Sequence, residues 1–275
     1  MKQTEENVAI ITGASAPKGI GKAIAMRLAR AGASVVLTDI AGTMTLNQQD
    51  YDTIDLLEQT VAEIQARGGK AITLPVDVTK AEDIAQCMKT TLQQFNKVDI
   101  LVNNAGSLAG SDNFLNTTPE QWEKSFQVNL MGPMMFTQAI IPEMQKQGGG
   151  SIINIGSTGS LGAEAGFGAY TAMKHGLIGL TKTIAAEFGP AGIRCNVVCP
   201  GYIMTDMHAA ANVRLAEENN IDVEEMMARR YANVALRQAG DPDDVAEAVA
   251  YLVSPQGKYV TGIALPVAGG VPFGI

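Results

Sequence analysis

The start of this chain constrains its fold more than any other stretch. An apolar run, Val8–Ile11, leads into Thr12-Gly13-Ala14-Ser15-Ala16-Pro17-Lys18-Gly19-Ile20-Gly21, and helix-period residues follow at once. Glycine serves three ends in such a strand-to-helix turn: it permits a tight reversal, lets backbone approach a pyrophosphate, and lets the helix pack close to the strand. The helix that begins there offers N–H groups and the positive end of its dipole to phosphate. A glycine pattern alone says little, but this one follows a strand and opens a helix, as the chemistry requires.

The same rhythm runs along the chain. Candidate strands are Val8–Ile11, Ser34–Thr38, Ala71–Leu74, Ile100–Val102, Ser151–Ile155, Arg194–Val198 and Ile263–Val267. Most are continuous apolar runs, as strands covered on both faces should be. Between them, Gly21–Ala31, Tyr51–Arg67, Ala81–Gln94, Pro119–Gln147, Ala165–Phe188 and Pro242–Leu252 read as helices. This alternation predicts a doubly wound α/β Rossmann fold, a seven-stranded, mainly parallel sheet with helices on both faces. The 275 residues could hold one domain or two. With no repeat and no linker, a single domain over 1–275 is expected. Residues 40–52 are polar without an apolar period, and residues 205–235 are charged and Met-rich. The second stretch is a candidate lid, since long excursions in compact domains often cover active sites.

Composition narrows the partners. Twenty basic residues against 28 acidic ones give a net charge of -8, which argues against nucleic acid and against anionic membranes. No apolar run reaches the roughly 18 residues of a membrane helix, and Met1–Asn7 is too polar for a signal peptide. Cys87, Cys195 and Cys199 lie in apolar segments and read as buried, reduced thiols. With only two histidines, no metal site is expected. A cytoplasmic protein acting on a small molecule follows.

The second strand ends at Asp39, eighteen residues after Gly21. A carboxylate there can accept from both adenosine ribose hydroxyls and repels a 2′-phosphate, which favours NAD over NADP. Lys18 cuts the other way, but a loop lysine can simply point to solvent.

The fifth candidate strand runs into Gly156-Ser157. Tyr170 follows thirteen residues after the serine, and Lys174 lies four residues beyond Tyr170. On a helix those two share a face. An ammonium beside a phenol favours the phenolate, so a Tyr170 pKa below the usual value of about 10 is expected, which would make it a general acid/base.

Taken together, these residues resemble the short-chain dehydrogenase/reductase family over nearly the whole chain. The motifs stand as Thr12-Gly13…Gly19-Ile20-Gly21, Asp77-Val78, Asn103-Asn104-Ala105-Gly106, Asn129, Ser157, Tyr170-x-x-x-Lys174 and Pro200-Gly201. The resemblance implies that Gly13, Ser15, Lys18, Gly19 and Ile20 cradle the cofactor phosphates. It puts Asp77 and Val78 around the adenine and Asn104, Ala105 and Gly106 along the adenosine side. Lys174 would hold the nicotinamide ribose, Tyr170 pass the proton, and Ser157 orient the substrate oxygen. Asn129 would hold a water linking Lys174 to solvent. Pro200, Gly201, Ile203 and Thr205 would wrap the nicotinamide.

Three departures stand out. Five residues separate Gly13 from Gly19 where the family usually has three, about a dozen extra residues follow Asp39, and Ala268 stands where many relatives carry Asp. In the candidate lid, Met204, Met207, Met226, Met227 and Tyr231 suit either a helix core or an adaptable apolar pocket. His208 reads as a surface residue, and Arg214, Arg229 and Arg230 as a solvated face, though each could meet substrate. The resemblance implies a homo-oligomer, a tetramer or dimer, with the apolar tail Val271–Ile275 as a further contact.

The expected activity is NAD-dependent interconversion of a secondary alcohol and a ketone. An NADPH-preferring 3-oxoacyl-type reductase is the alternative. A nucleotide-binding sensor without chemistry is disfavoured, because Tyr170 and Lys174 are both present.

Overall fold

Apolar residues with no polar alternation must be covered on both sides, and the strands show how. The computed structural model describes residues 7–46 and 49–272. In β1 (Val8–Thr12), Ala9 and Ile11 join one core layer while Ile10 joins the other. The same division runs through β2 (Ser34–Asp39) and β6 (Ile100–Asn103), whose Val35, Leu37 and Val102 oppose Val36 and Leu101. With β5 (Ala71–Pro75), β7 (Gly150–Ile155), β8 (Ile193–Pro200) and β9 (Ala264–Val267), these form a seven-stranded sheet. Its order is β5-β2-β1-β6-β7-β8-β9, and every pairing is parallel.

Helices cover each face, each burying the stripe that its apolar spacing predicts. On one face lie α1 (Ile20–Arg30), α2 (Thr53–Ala66) and α9 (Pro242–Val253), through Ile24, Leu28, Leu57, Val245 and Val249. On the other lie α3 (Ala81–Phe95), α5 (Gly132–Gln147) and α6 (Gly168–Phe188), through Ile84, Met88, Phe136, Ile140 and Ile184. This is the doubly wound fold expected from the sequence.

Because all strands point one way, Thr12, Asp39, Asn103, Ile155 and Pro200 end at a common edge. The chain reverses its direction of winding between β1 and β6, which opens a crevice there, the usual ligand position in such sheets.

Four local expectations change. The stretch 40–52 is not featureless: β3 (Thr43–Leu46) and β4 (Gln49–Asp52) pair as an antiparallel hairpin. Tyr51 and Asp52 therefore belong to a strand, and α2 starts at Thr53 with the Asp52 carboxylate capping Ile54 and Asp55. Helix α6 starts at Gly168, not Ala165, since Gly166 takes φ +85°. The single helix expected over Pro119–Gln147 comprises α4 (Pro119–Phe126), a π-helical turn at Gln127–Met131, and α5. The candidate lid folds as α7 (Asp206–Asn219) and α8 (Val223–Arg230). No helix among the described residues is long and apolar enough to cross a membrane. The amino-terminal reading over residues 1–6 and the end of the apolar tail, 273–275, lie outside the described residues.

Candidate active site

The loop after β1 is built as the glycines allow. Gly13 takes φ +67°, and a Cβ there would stand 2.7 Å from the Cα of Ala105, so only glycine lets the first and fourth strands of the sheet deliver their loops together. A Cβ on Gly21 would meet the Gly13 carbonyl oxygen at 2.6 Å. In the lengthened loop, Pro17 and Lys18 lie in a turn closed by Gly19 N–H donating to the Ala16 carbonyl, 2.9 Å. No side chain caps the start of α1 and no acidic residue sits in its first turn. That leaves its dipole and early N–H groups open to an anion.

Asp39 lies beside this loop. Its Oδ2 accepts from the Ser15 backbone at 3.0 Å and from the Ser15 hydroxyl at 2.6 Å, and Oδ1 accepts from the Ile40 N–H. Ser15 is buried, so its predicted loop position is in part an anchor for the carboxylate. The Lys18 side chain is exposed, while its N–H donates to Asp206 Oδ2 at 2.8 Å and ties the loop to the lid.

Next along the crevice, the Thr12 hydroxyl accepts from the N–H groups of Asn104 and Ala105, both at 3.0 Å. The Asn104 amide donates to the Thr12 and Gly13 carbonyls at 2.9 and 2.7 Å. Asp77 and Val78 stand beyond β5. Burial alone would raise the Asp77 carboxyl, but hydrogen bonds from Thr79 and the nearby Lys80 ammonium win and hold it below its ordinary value. Val78 is buried against Gly132, where a Cβ would strike its Cγ2 at 2.9 Å.

The catalytic candidates converge. Ser157 follows β7 and caps a short turn, its Oγ accepting from Gly159 N–H at 3.1 Å. The Tyr170 ring approaches Ser157: a Cβ on Gly159 would lie 3.5 Å from Ser157 Oγ and 3.7 Å from Tyr170 Cε1. Lys174, only 4% exposed, has its Nζ 5.5 Å from the centre of the Tyr170 ring. That Nζ donates to the Ile155 carbonyl at 2.7 Å. Asn129, fully buried in the π-helical turn, accepts from Ser107 N–H through Oδ1 at 3.1 Å and donates to the Ser107 carbonyl at 2.8 Å. A Cβ on Gly106 would lie 3.3 Å from Asn129 Oδ1 and 3.9 Å from Lys174 Nζ, so the predicted Gly106, Asn129 and Lys174 share one pocket.

One expectation reverses. Burial pushes the Tyr170 phenol above its usual pKa, against the opposing Ser157 hydrogen bond. Burial also pushes the Lys174 ammonium down to about 8, so its positive charge is weakened just where it was to act on the phenol. In the chain by itself the Tyr170 phenol is thus held in its protonated form.

Cys199, read from the sequence as a buried thiol, is buried close to this site. A Cβ on Gly156 would stand 3.2 Å from its sulfur, which places the thiol directly behind the Ser157 strand end. Burial raises its pKa despite hydrogen bonds from Ser160 and Ser157 and the pull of Lys174. All three cysteines are free and buried.

Past β8, a Cβ on Gly201 would meet that of Ala268 at 2.8 Å. Ile203 is buried and bridges to Gly240, and the Thr205 hydroxyl caps α7 by accepting from His208 N–H at 3.2 Å. Within the lid Met226 and Tyr231 are buried and Met207 is 66% exposed, so the methionines divide between core and surface. His208 is not a surface residue. Its Nε2 pairs with the Tyr231 hydroxyl at 2.8 Å, and burial lowers its pKa to about 4.

The family model described as enoyl-(acyl carrier protein) reductase matches residues 13–272. Human dehydrogenase/reductase SDR family member 4 is 34% identical over 265 residues, which cover 96% of this chain and 87% of that protein. The chain belongs to the short-chain dehydrogenase/reductase family.

Within that oxidoreductase family, this short-chain dehydrogenase/reductase is 37% identical over 267 residues to a Vibrio cholerae 3-oxoacyl-(acyl-carrier-protein) reductase, covering 97% of this chain and 98% of that one. The crystal structure of a point variant of actinorhodin polyketide ketoreductase with NADPH matches with a TM-score of 0.87 and 32% identity, covering 98% of this chain and 99% of that one. This member closes its long glycine loop through Gly19 N–H on the Ala16 carbonyl and ties it to Asp206 by the Lys18 N–H. It also carries a hairpin after β2.

Proposed function

We propose that this protein interconverts a secondary alcohol and a ketone with NAD, Tyr170 acting as general acid/base. The observation that carries the proposal is the convergence of Ser157, Tyr170 and the buried Lys174 at the ligand edge of the sheet. A nicotinamide would donate or accept the hydride. Ser157 and Tyr170 would bind the substrate oxygen, and Tyr170 would give it a proton in reduction and take one back in oxidation. Lys174 would hold the nicotinamide ribose, and Asn129 would order water behind it. Gly13, Ser15, Lys18, Gly19 and Ile20 would line the phosphates, with Asp77, Val78, Asn104, Ala105 and Gly106 along the adenosine side and Pro200, Gly201, Ile203 and Thr205 around the nicotinamide.

The cradle fits such a group. The start of α1 is uncapped, and Ser15 holds the Asp39 carboxylate beside the glycine loop, where the adenosine ribose would lie. A fixed negative charge there repels a 2′-phosphate and supports NAD. The alternative, an NADPH-preferring 3-oxoacyl-type reductase, is favoured by the likeness to the Vibrio cholerae enzyme and disfavoured by Asp39.

The test is absorbance at the reduced-nicotinamide band, with NAD or NADP, across secondary alcohols and their ketones. Turnover with NAD that Tyr170→Phe removes, while cofactor binding persists, is the expected result. Undiminished turnover in that variant would refute the role of Tyr170.

A further inference from the structure

The two helices of the lid carry three arginines, and they are not alike. Arg214 pairs with Glu218 and Arg229 with Glu225, both exposed i,i+4 pairs of the kind that solvated helices carry. Arg230 is half-buried, and no ion pair joins it to a carboxylate among the described residues. Its guanidinium donates to the side-chain oxygen of Asn212, a neutral partner that is 1% exposed. It also lies over the Tyr202 ring, 5.3 Å from the centre. A helix C-terminus favours a cation, which accounts for Arg229, but it does not require the side chain to turn inward onto an aromatic face.

The position of Tyr202 matters. It directly follows Pro200-Gly201 at the end of β8, and its phenol feels the charge of Glu164, which lies on the loop between Ser157 and Tyr170. Tyr202 packs against the lid rings of His208 and Tyr231, with the Arg230 guanidinium over its own ring. The arginine is also braced from behind: Asn212 donates to the Tyr231 hydroxyl at 3.1 Å, and His208 pairs with that same hydroxyl. A cation without an acidic partner, fixed in orientation and stacked on the residue that follows Pro200-Gly201 at the ligand edge of the sheet, is a prepared anion receptor.

We infer that Arg230 selects substrates bearing a carboxylate remote from the reacting carbon. The inference rests on the dehydrogenase reading above and names its substrate class: oxo-acids and hydroxy-acids, gripped bidentately by the guanidinium fork. Glu164, whose charge reaches Tyr202, disfavours a second negative charge.

The test compares paired ketones, oxo-acids of increasing chain length and their methyl esters, in wild type, Arg230→Gln and Arg230→Lys. The readout is the acid-to-ester ratio of kcat/KM. For the best acid this ratio is expected to be about 10 to 100 in wild type, the range for a charged hydrogen-bonded contact. It should fall to about one in Arg230→Gln, mainly through KM, and lie between in Arg230→Lys, which keeps the charge and loses the fork. A structural role alone would slow both members of each pair and leave the ratio intact, and that result overturns the inference. Esters turned over as well as acids by wild type also overturn it while the dehydrogenase reading stands. If neither member of any pair, nor any neutral alcohol, is turned over while NAD still binds, the dehydrogenase reading fails and the inference falls with it.

Discussion

Replacing Lys174 by methionine should remove turnover and make the protein more stable. Lys174 is buried in the fold, and its pKa falls from 10.5 to about 8. At about 1.4 kcal/mol per pKa unit, keeping it charged at pH 7 costs the fold about 3 kcal/mol. Methionine fills similar space without a charge. It also forfeits the 2.7 Å hydrogen bond from a charged donor to the Ile155 carbonyl, worth about 1.5 to 3 kcal/mol. The net expectation is a gain of up to about 1.5 kcal/mol, an order-of-magnitude figure. The sign of the pH dependence follows from proton counting. Between pH 8 and 10.5 the unfolded lysine holds a proton that the folded one has shed, so wild-type stability rises there relative to the variant. The advantage of Lys174→Met is therefore full below pH 8 and lost by about 10.5. Urea unfolding of both cofactor-free proteins at pH 7 and pH 10 measures it, since other titrating groups are common to both. A variant less stable than wild type at pH 7, or a difference that does not change with pH, would refute the desolvation argument.

Three further outcomes are expected. Asp39→Ala should relax selectivity towards NADP and loosen the glycine loop, because Ser15 loses two bonds to the carboxylate; a kcat/KM ratio for NAD over NADP equal to that of wild type would show that the ribose argument is wrong. Tyr231→Phe strips the shared partner from His208 and Asn212 and should cost the lid about 1 to 3 kcal/mol. Hydrogen exchange in α7 and α8, together with substrate KM, reports it, and unchanged values in both would mean the network is idle. Gly13→Ala forces a side chain into φ +67° and into the Ala105 backbone. Weakened cofactor fluorescence and a lower Tm should appear together, and a silent substitution would contradict the packing described.

Much of this was readable from residue order, for identifiable reasons. Strands such as Val8–Thr12 and Ile100–Asn103 are buried on both faces, so their apolar runs mark them without help from context. Ser157, Tyr170 and Lys174 are tied by helical spacing and a strand end, both local properties. What was not readable depends on distance. The direction of the Tyr170 pKa is set by how much water the fold excludes around it, which no spacing reports. The Arg230–Asn212–Tyr231–His208 network joins residues from two helices across the lid. The hairpin left a faint trace in Thr43-Met44-Thr45-Leu46, an alternation too short and too polar to outweigh its surroundings.

At the π-helical turn, Gln127–Met131, the number of residues is itself constrained. A regular α-helix advances about 100° per residue, so the one wider turn sets α4 and α5 out of phase with each other. Asn129 lies in the middle of that turn, and from there it reaches Ser107. Deleting one residue here would yield an unbroken helix with a better hydrogen-bond ladder and swing Asn129 away from Ser107. Chain length is thus fixed to the single residue at this point, whereas the hairpin after β2 can lengthen or shorten without moving anything in the crevice. Natural and laboratory variants of this enzyme should record that contrast as gaps in the hairpin and none in the turn.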